Sequence, residues 1–284
     1  MQSASRQSLR LLSEELDVRA RDTSGDELRP ALDQTGDGLF AVANLLDREV
    51  GLRRTLADPS VEGEAKVRIV EGLLSGQVAA GALAVTADAV RLRWSRPGDL
   101  PDALAQIGAQ ALFTVAQLRG ELDGVEDDLF RFARVLEREP GLRRALMDSG
   151  RPANDRVGLL RNVLGARPDA PGGSSGRAVT VRLLESAVRS ARTRSLDAAV
   201  DELSRLAAAR RQQLVASVRV ARPLDDAQVR RLADNLQRLY GRAVSLQVEV
   251  DHTVVGGAVV RVGDEVVDGS VARRLAEAQR RLAG

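Results

Sequence analysis

Apolar residues recur at helical spacing along most of the chain, and the spacing changes to every second residue near the C-terminus. Leu9, Leu12 and Leu16 would lie on one face of a helix, and a longer helix is predicted over residues 100–122. After Arg211, the β-branched segment 214–221 and the alternation over residues 244–250 are typical of strands. The pattern predicts a mainly α protein with a small α+β domain at its C-terminal end.

The helical part contains an internal duplication. Twelve residues between Leu39 and Asp58 recur at an offset of ninety residues. The pairs are Leu39 and Leu129, Phe40 and Phe130, Ala43 and Ala133, Leu46 and Leu136, Arg48 and Arg138, Glu49 and Glu139, Gly51 and Gly141, Leu52 and Leu142, Arg53 and Arg143, Arg54 and Arg144, Leu56 and Leu146, and Asp58 and Asp148. After a flexible loop rich in Gly and Pro at residues 167–176, the match continues at an offset of ninety-six. Two tandem related helical bundles are therefore predicted.

These patterns divide the chain into three parts. We expect a first helical bundle over residues 1–99, a second over 100–212, and a small α+β domain over 213–284. Helix 100–122 lies between the copies, so it either belongs to the second bundle or is shared by both. Gly25, Pro30 and Gly36 predict a connection between the N-terminal helix and the helix that contains Leu39.

The C-terminal part has several local signals of its own. Asp225 and Gln228 have the spacing of a capping box at the start of a helix that runs to Tyr240. Short strands are predicted over residues 258–262 and 265–267, and a final helix should begin after Ser270. Together they predict a sheet with helices packed on it.

Composition and charge argue against several classes of function. The chain has no cysteine and a single histidine, His252, which removes most options for a transition-metal site. Its 42 basic residues are balanced by 40 acidic ones and interleaved with them, and only six residues are aromatic, so nucleic-acid binding is not expected. No run of about 18 apolar residues occurs, so we expect no direct membrane insertion.

Candidate chemistry is correspondingly sparse, and we predict no catalytic, cofactor-binding or metal residue. The two Gly-Leu-Arg-Arg segments make Arg53, Arg54, Arg143 and Arg144 candidates for partner contact, although exposed arginines at a helix boundary are the favoured explanation, since most surface charges carry little binding energy. The glycines near residue 256 lack the GxxxxGK[ST] pattern of a phosphate loop and are better explained by tight turns.

One segment of the C-terminal part is similar to a known family. The stretch VSLQVEVDHTVVGGAVVRVGDEVVDGSVARRL, residues 244–275, resembles the signature segment of the delta subunit of bacterial F-type ATP synthases, relatives of the mitochondrial oligomycin-sensitivity-conferring protein. The residues that carry the resemblance, expected to form structural turns, are Gly256, Gly257, Arg261, Gly263, Asp264, Asp268, Gly269 and Ser270. Two related bundles upstream are similar to the longer delta subunits of actinobacteria.

The resemblance implies a mechanical function without catalysis or a cofactor. Family members link the alpha subunits of the catalytic head, through their N-terminal helices, to the b subunits of the peripheral stalk, on the cytoplasmic face of the cell membrane. By its position next to the α+β domain, the second bundle is the better candidate for the alpha contact; the first extends the stalk contact or binds another helix. The alternative interpretation is a helical nucleic-acid-binding protein or a general interaction scaffold.

Overall fold

The computed structural model describes residues 3–22, 25–165, 175–190, 195–211, 214–240, 244–251, 254, 256–262 and 265–268. Several sequence predictions lie outside these residues: most of the 167–176 loop, His252, Gly263, Asp264, Gly269, Ser270 and the final helix. The chain divides into two compact units. One comprises Met1–Leu16 and Arg29–Arg211, and the other comprises Asp17–Leu28 and Gln212–Gly284.

Helices form the described part of the chain up to Arg211. They are α1 (Ser3–Asp22), α2 (Gly25–Arg48), α3 (Val50–Ala57), α4 (Gly63–Leu74), α5 (Ala80–Arg91), α6 (Asp99–Leu118), α7 (Leu122–Arg138), α8 (Pro140–Met147), α9 (Ala153–Val163), α10 (Ser175–Arg189) and α11 (Leu196–Arg211). The short helices α3 and α8 are each eight residues long and start ninety positions apart. The predicted fold class, mainly α with a small α+β domain, is confirmed.

The turn after the short helix is built in the same way in both copies. The carboxylate Oδ1 of Asp58 accepts a hydrogen bond from the backbone N–H of Ser60 at 2.8 Å, and Oδ1 of Asp148 accepts one from Gly150 at 2.9 Å. An Asp side chain that bonds to the backbone two residues later favours a turn over a continued helix. The aspartate shared by the two copies therefore ends α3 and α8 at equivalent points.

The predicted connection between residues 25 and 36 is wrong, because α2 is helical across it. Its glycines serve close packing instead. A Cβ at Gly36 would lie 2.9 Å from Leu112 in α6, and one at Gly38 would lie 2.6 Å from the Cβ of Ala82 in α5. The missing side chains let neighbouring helices approach α2 closely, and this packing offsets the low helix propensity of glycine.

Helix α6 packs against helices of both copies. It contacts α3 and α5 on one side and α7, α10 and α11 on the other. Leu104, Ile107, Leu112 and Phe113 are completely buried along it. The helix that was expected either in the second bundle or in both thus has buried side chains and contacts helices of both copies.

The second unit contains a four-stranded sheet. Its strands are β1 (Leu214–Val220), β2 (Val244–Val250), β3 (Ala258–Val262) and β4 (Glu265–Asp268), in the spatial order β2-β1-β3-β4. Strand β1 pairs in parallel with β2 and antiparallel with β3, which itself pairs antiparallel with β4. Parallel pairing requires a crossover connection, and α12 (Asp226–Tyr240) supplies it.

Both the helix start and the core of this unit follow the sequence pattern. The Gln228 N–H donates to Oδ1 of Asp225 at 2.8 Å, and the Asp225 N–H donates to Oε1 of Gln228 at 3.0 Å, which completes the predicted capping box. Alternate strand residues meet one face of α12 in the core. The buried members are Ala216, Val218, Val220, Leu236, Leu246, Val260 and Val262.

Candidate binding surfaces

The arginines of the first Gly-Leu-Arg-Arg segment have different environments. The Arg53 guanidinium donates hydrogen bonds to the carbonyls of Leu46 and Asp47 at 3.3 and 3.4 Å and lies 3.7 Å from the Asp47 carboxylate. It therefore satisfies backbone groups at the C-terminal end of α2, as basic residues at that position commonly do. Arg54 is exposed. Of this pair, Arg54 is the more exposed arginine.

The second segment repeats this arrangement more loosely. Arg143 forms an ion pair with Asp197 at 3.7 Å, across α8 and α11, and both side chains are 43% exposed. The exposed Arg144 donates to the carbonyl of Pro140 in its own helix at 3.4 Å. Exposed pairs of this kind contribute little to stability, so both arginines can exchange their present contacts for those of a partner.

An ion-pair cluster bridges the two copies. Arg182 in α10 donates to Asp33 at 2.7 Å and to Asp37 at 3.1 Å, both in α2, and Arg119 lies 2.9 Å from Asp33. Burial by itself would lower the pKa of Arg182, but its hydrogen bond to Asp33 and the charges of Asp37 and Asp33 outweigh burial and raise it. The cluster fixes the position of α2 on the second bundle because these partly buried groups satisfy one another.

A cleft of about 440 Å³ lies beside this cluster, between α2 and the helices α9 and α10. Phe40, Asp47 and Arg156 contribute to its walls. Burial, together with the negative charge of Asp102, raises the pKa of Asp47 to about 6, although Arg53 acts in the opposite direction. The wall of the cleft therefore contains a carboxyl group, that of Asp47, whose charge changes close to neutral pH.

Arg156 is a buried cation with a structural role. Its side chain is 1% exposed and donates to the carbonyls of Leu146 at 3.1 Å and Val188 at 2.7 Å. It thereby ties α9 to the C-terminal ends of α8 and α10. The equivalent residue in the first copy, Lys66, is also buried, and burial lowers its pKa. Each bundle has thus kept a basic residue in its interior, a feature that the sequence alignment of the copies could have revealed.

The second bundle has a groove on its outer side between α7, α9 and α10. It has a volume of about 250 Å³, and its walls include Val135 and Val163, which are 37% and 42% exposed. Asp128 and Arg177 lie 4.0 Å apart in it, and Arg131 also contributes to the wall. Apolar side chains surrounded by charged groups are typical of a site for an amphipathic helix.

The corresponding place in the first copy has different side chains. There Gly38 and Ala82 bring α2 and α5 together, and Thr35 approaches Gly81. In the second copy Asp128 stands at the position of Gly38, and Arg177 stands at that of Gly81. Large polar side chains prevent the close helix approach that glycine allows. The side chains at this position therefore differ in size and charge between the two copies.

In the α+β unit, Gly256 and Gly257 adopt positive φ angles of 68° and 78°. They lie immediately before β3, where only glycine reaches such angles without strain, so their role as turn residues agrees with the backbone. Arg261 is exposed on β3 opposite Ser217, and Asp268 pairs with Val259. Asp251 forms an ion pair with Arg219 at 3.3 Å.

A mainly apolar groove of about 930 Å³ lies next to the glycine turn. Pro223, Leu232, Leu236 and Val260 contribute to its walls, together with Gly256 and Gly257. The family-signature glycines thus shape the mouth of an apolar groove between α12 and the sheet. Sequence analysis did not predict this groove, because its walls come from segments far apart along the chain.

Two properties hold for the part of the chain that the structure describes. Within these residues, no three His, Cys, Asp or Glu side chains come together in an arrangement that could hold a metal ion. None of the helices there combines the length and hydropathy needed to cross a bilayer.

The fold and these surfaces define a helical binding protein whose grooves and ion pairs suit contact with other proteins. A family model described as the ATP synthase delta (OSCP) subunit matches residues 104–282. Curated proteins named ATP synthase subunit delta are similar to the chain over its full length. One from Streptomyces griseus is 44% identical over 100% of both chains, and one from Streptomyces coelicolor is 44% identical over 100% of this chain and 98% of its own.

The chain therefore belongs to the ATP synthase delta (OSCP) subunit family, and the resemblance inferred from the sequence is confirmed. It is a structural subunit of the ATP synthase complex. A subunit of the mitochondrial ATP synthase of Toxoplasma gondii was also found, with 20% identity, a TM-score of 0.26 and coverage of 62% of this chain and 95% of that one. The family model begins within α6, whereas the Streptomyces relatives match the first bundle as well.

Proposed function

We propose that this chain is the stator subunit that joins the alpha subunits of the ATP synthase head to the b subunits of its peripheral stalk. It would act on the cytoplasmic face of the cell membrane, so that the head resists the torque of the rotor. The observation that carries the proposal is membership of the delta family over the whole chain. It would have no active site of its own and need no cofactor, because a stator link requires affinity and stiffness.

The joined bundles support a role in transmitting torque. A link that bends freely would let the head turn with the rotor, so stiffness between the binding sites matters. Helix α6 belongs to both cores, and Arg182 holds Asp33 and Asp37 across the copies. Shared core packing resists bending because interiors are close-packed and have low compressibility. A bend between the bundles would have to separate these side chains.

We place the contact with the N-terminal helices of the alpha subunits in the groove between α7, α9 and α10. Val135 and Val163 would receive apolar anchors of the incoming helix, while Arg131 and Arg177 would face its acidic side chains. In the first copy Gly38 and Ala82 pack closely at the position of Asp128 and its neighbour on α10. This assignment agrees with the sequence-based expectation that the second bundle makes the alpha contact. Arg54 and Arg144 remain candidate partner contacts.

The α+β unit is the proposed contact for the b subunits. Its apolar groove beside Gly256 and Gly257 suits the apolar face of a helix, and Arg261 is exposed on the sheet. The division into parts at residues 1–99, 100–212 and 213–284 stays a prediction. Within it, we assign α6 to both bundles. The first bundle would extend the stalk contact or bind another helix.

Calorimetric titration of the full-length protein with a synthetic N-terminal peptide of the alpha subunit tests the location of this site. Val163→Glu should weaken binding by about tenfold or more, because it places a charge in the apolar part of the groove. The matched control is Leu73→Glu, at the equivalent position of the first copy, where the side chain is 52% exposed.

The two variants separate the possible outcomes. Loss of binding with Val163→Glu and retention with Leu73→Glu support a site in the second bundle. The reverse result moves the alpha contact to the first bundle. If the unmodified protein shows no saturable binding of the peptide, the proposed link to the alpha subunits is contradicted.

The alternative function, nucleic-acid binding, has no observation in its favour. Among the residues that the structure describes, many charged side chains pair across helices, as Arg182 does with Asp33, and the basic residues are interleaved with acidic ones along the sequence. A filter-binding assay with duplex DNA at physiological salt should give no submicromolar affinity.

A further inference from the structure

The duplication places the same stripe of side chains on α2 and on α7, but only one of the two stripes is covered. On α2 the stripe consists of Asp33, Asp37 and Phe40. Phe40 is 8% exposed and belongs to the core of the second bundle, with Leu112 and Leu183. The two aspartates hold Arg182. This stripe is the surface through which α2 docks on α6 and α10.

On α7 the equivalent stripe consists of Asp123, Asp127 and Phe130, at the same offset of ninety residues. Here Phe130 is 63% exposed. Among the described residues, the large apolar side chains that are exposed include one aromatic ring, and it is that of Phe130. Arg134 stacks over its ring at 5.9 Å, and Asp127 lies 3.9 Å from Arg131 with both side chains largely exposed. The α7 stripe therefore has the same residues as the covered α2 stripe, but among the described residues no other helix covers its phenylalanine.

We propose that the α7 stripe docks a helix of another ATP synthase subunit, one that presents an arginine to Asp123 and Asp127 and a small-residue apolar face to Phe130. The inference rests on the proposed stator function, because that function supplies the partner complex. The chemistry of the occupant follows from what covers the α2 stripe. In that interface, Arg182 meets the carboxylates, and Gly108 and Leu112 lie near Phe40 or its neighbours on α2.

A second copy of this chain is a poor candidate for the occupant. The surface that matches the stripe, around Arg182 on α10, is already covered by the chain's own α2. A second α7 could reach it only if α2 were displaced, which would expose Phe40 and separate Arg182 from both aspartates. The matching surface must therefore come from a different protein.

The copies also differ in a way that predicts a more polar contact. Glu126 stands where α2 has Gly36, and it pairs with Arg211 at 3.2 Å. Arg134 stands where α2 has Asn44. The incoming helix cannot approach as closely as α6 approaches Gly36, so Phe130 and the charged groups around it would carry the binding. Aromatic and arginine side chains commonly dominate interfaces of this kind.

The test uses ATP synthase depleted of this subunit and measures rebinding of the full-length protein. Phe130→Ala combined with Asp127→Asn should raise the dissociation constant by about tenfold or more. Leu73→Ala, which removes a side chain that is 52% exposed on α4, is the matched control and should leave it within about twofold. Both proteins should unfold like the unmodified one, because the replaced side chains are exposed.

A photo-reactive phenylalanine analogue at position 130 identifies the occupant in the assembled complex. A crosslink to a basic helix of another subunit is the expected result. Rebinding of the double variant with unchanged affinity, or a crosslink to a second copy of this chain, overturns the inference. If the unmodified protein does not rebind to the depleted complex, the proposed function fails instead, so the two failures can be told apart.

Discussion

The internal duplication allows one substitution to be made twice, in a buried and in an exposed setting. Phe40 and Phe130 occupy equivalent positions, but the first is 8% exposed and the second 63%. Phe40 packs in the core of the second bundle, and its ring lies so near α6 that a Cβ at Gly108 would be 3.1 Å from it. Truncation of a buried phenylalanine to alanine typically costs about 3–5 kcal/mol. We therefore expect Phe40→Ala to lower the free energy of unfolding by about 3 kcal/mol or more.

Phe130→Ala should change the free energy of unfolding by less than about 1 kcal/mol, because most of its ring is already in contact with water. Urea denaturation followed by circular dichroism measures both variants under the same conditions. For Phe40→Ala we also expect a broader transition, since this side chain couples the two bundles. Equal losses for the two variants would refute the conclusion that Phe40 joins the copies and that Phe130 faces solvent.

Three further predictions concern packing, pH and a buried cation. Gly38→Ala should lower the free energy of unfolding by about 1–3 kcal/mol because the new methyl group meets Ala82, and adding Ala82→Gly should restore most of that loss. Gly158→Ala lies in open space within α9, so it should instead raise the free energy of unfolding by up to about 1 kcal/mol, measured by thermal unfolding. The pKa of Asp47 is raised to about 6, so its contribution to stability is full below the pKa of the unfolded chain and is lost as pH rises through 6. Asp47→Asn should therefore reduce the change in the free energy of unfolding between pH 4 and 7 by about 1 kcal/mol after allowance for partial exposure, and an unchanged pH profile would contradict this. Arg156→Met should lower the free energy of unfolding by about 3 kcal/mol, because the buried carbonyls of Leu146 and Val188 lose their hydrogen-bond donor. An unchanged denaturation midpoint would contradict this prediction.

Local features of the fold were predictable where the residues involved lie close together in the sequence. The helical spacing of apolar residues, the capping box of Asp225 and Gln228, and the strand alternation after residue 244 all depend on neighbours within a few positions. The prediction failed where packing between helices outweighed local preference. Gly36 and Pro30 suggested a connection, yet α2 continues through both because glycine allows the close approach of α6.

The candidate surfaces were less predictable than the fold. Arg53 was a candidate partner contact on the same footing as Arg54, but the structure shows it bonded to the carbonyls of α2. The bridging role of Arg182 was not predicted, since its aspartate partners lie more than a hundred residues earlier in the chain. The offset of ninety residues also relates Asp33 and Asp37 to Asp123 and Asp127, although the sequence prediction began the match only at Leu39. It could not show which pair is covered.

The sequence by itself determined the mainly α character, the duplication, the α+β unit and the family to which the chain belongs. These depend on residue order and local periodicity, which any copy of the segment carries with it. Only the tertiary structure decided that α6 packs against helices of both copies, and that Phe40 is buried while Phe130 is exposed. The physical reason is that burial depends on what packs against a residue from elsewhere in the chain. Two related helices with the same residues at equivalent positions can therefore have one covered face and one exposed face.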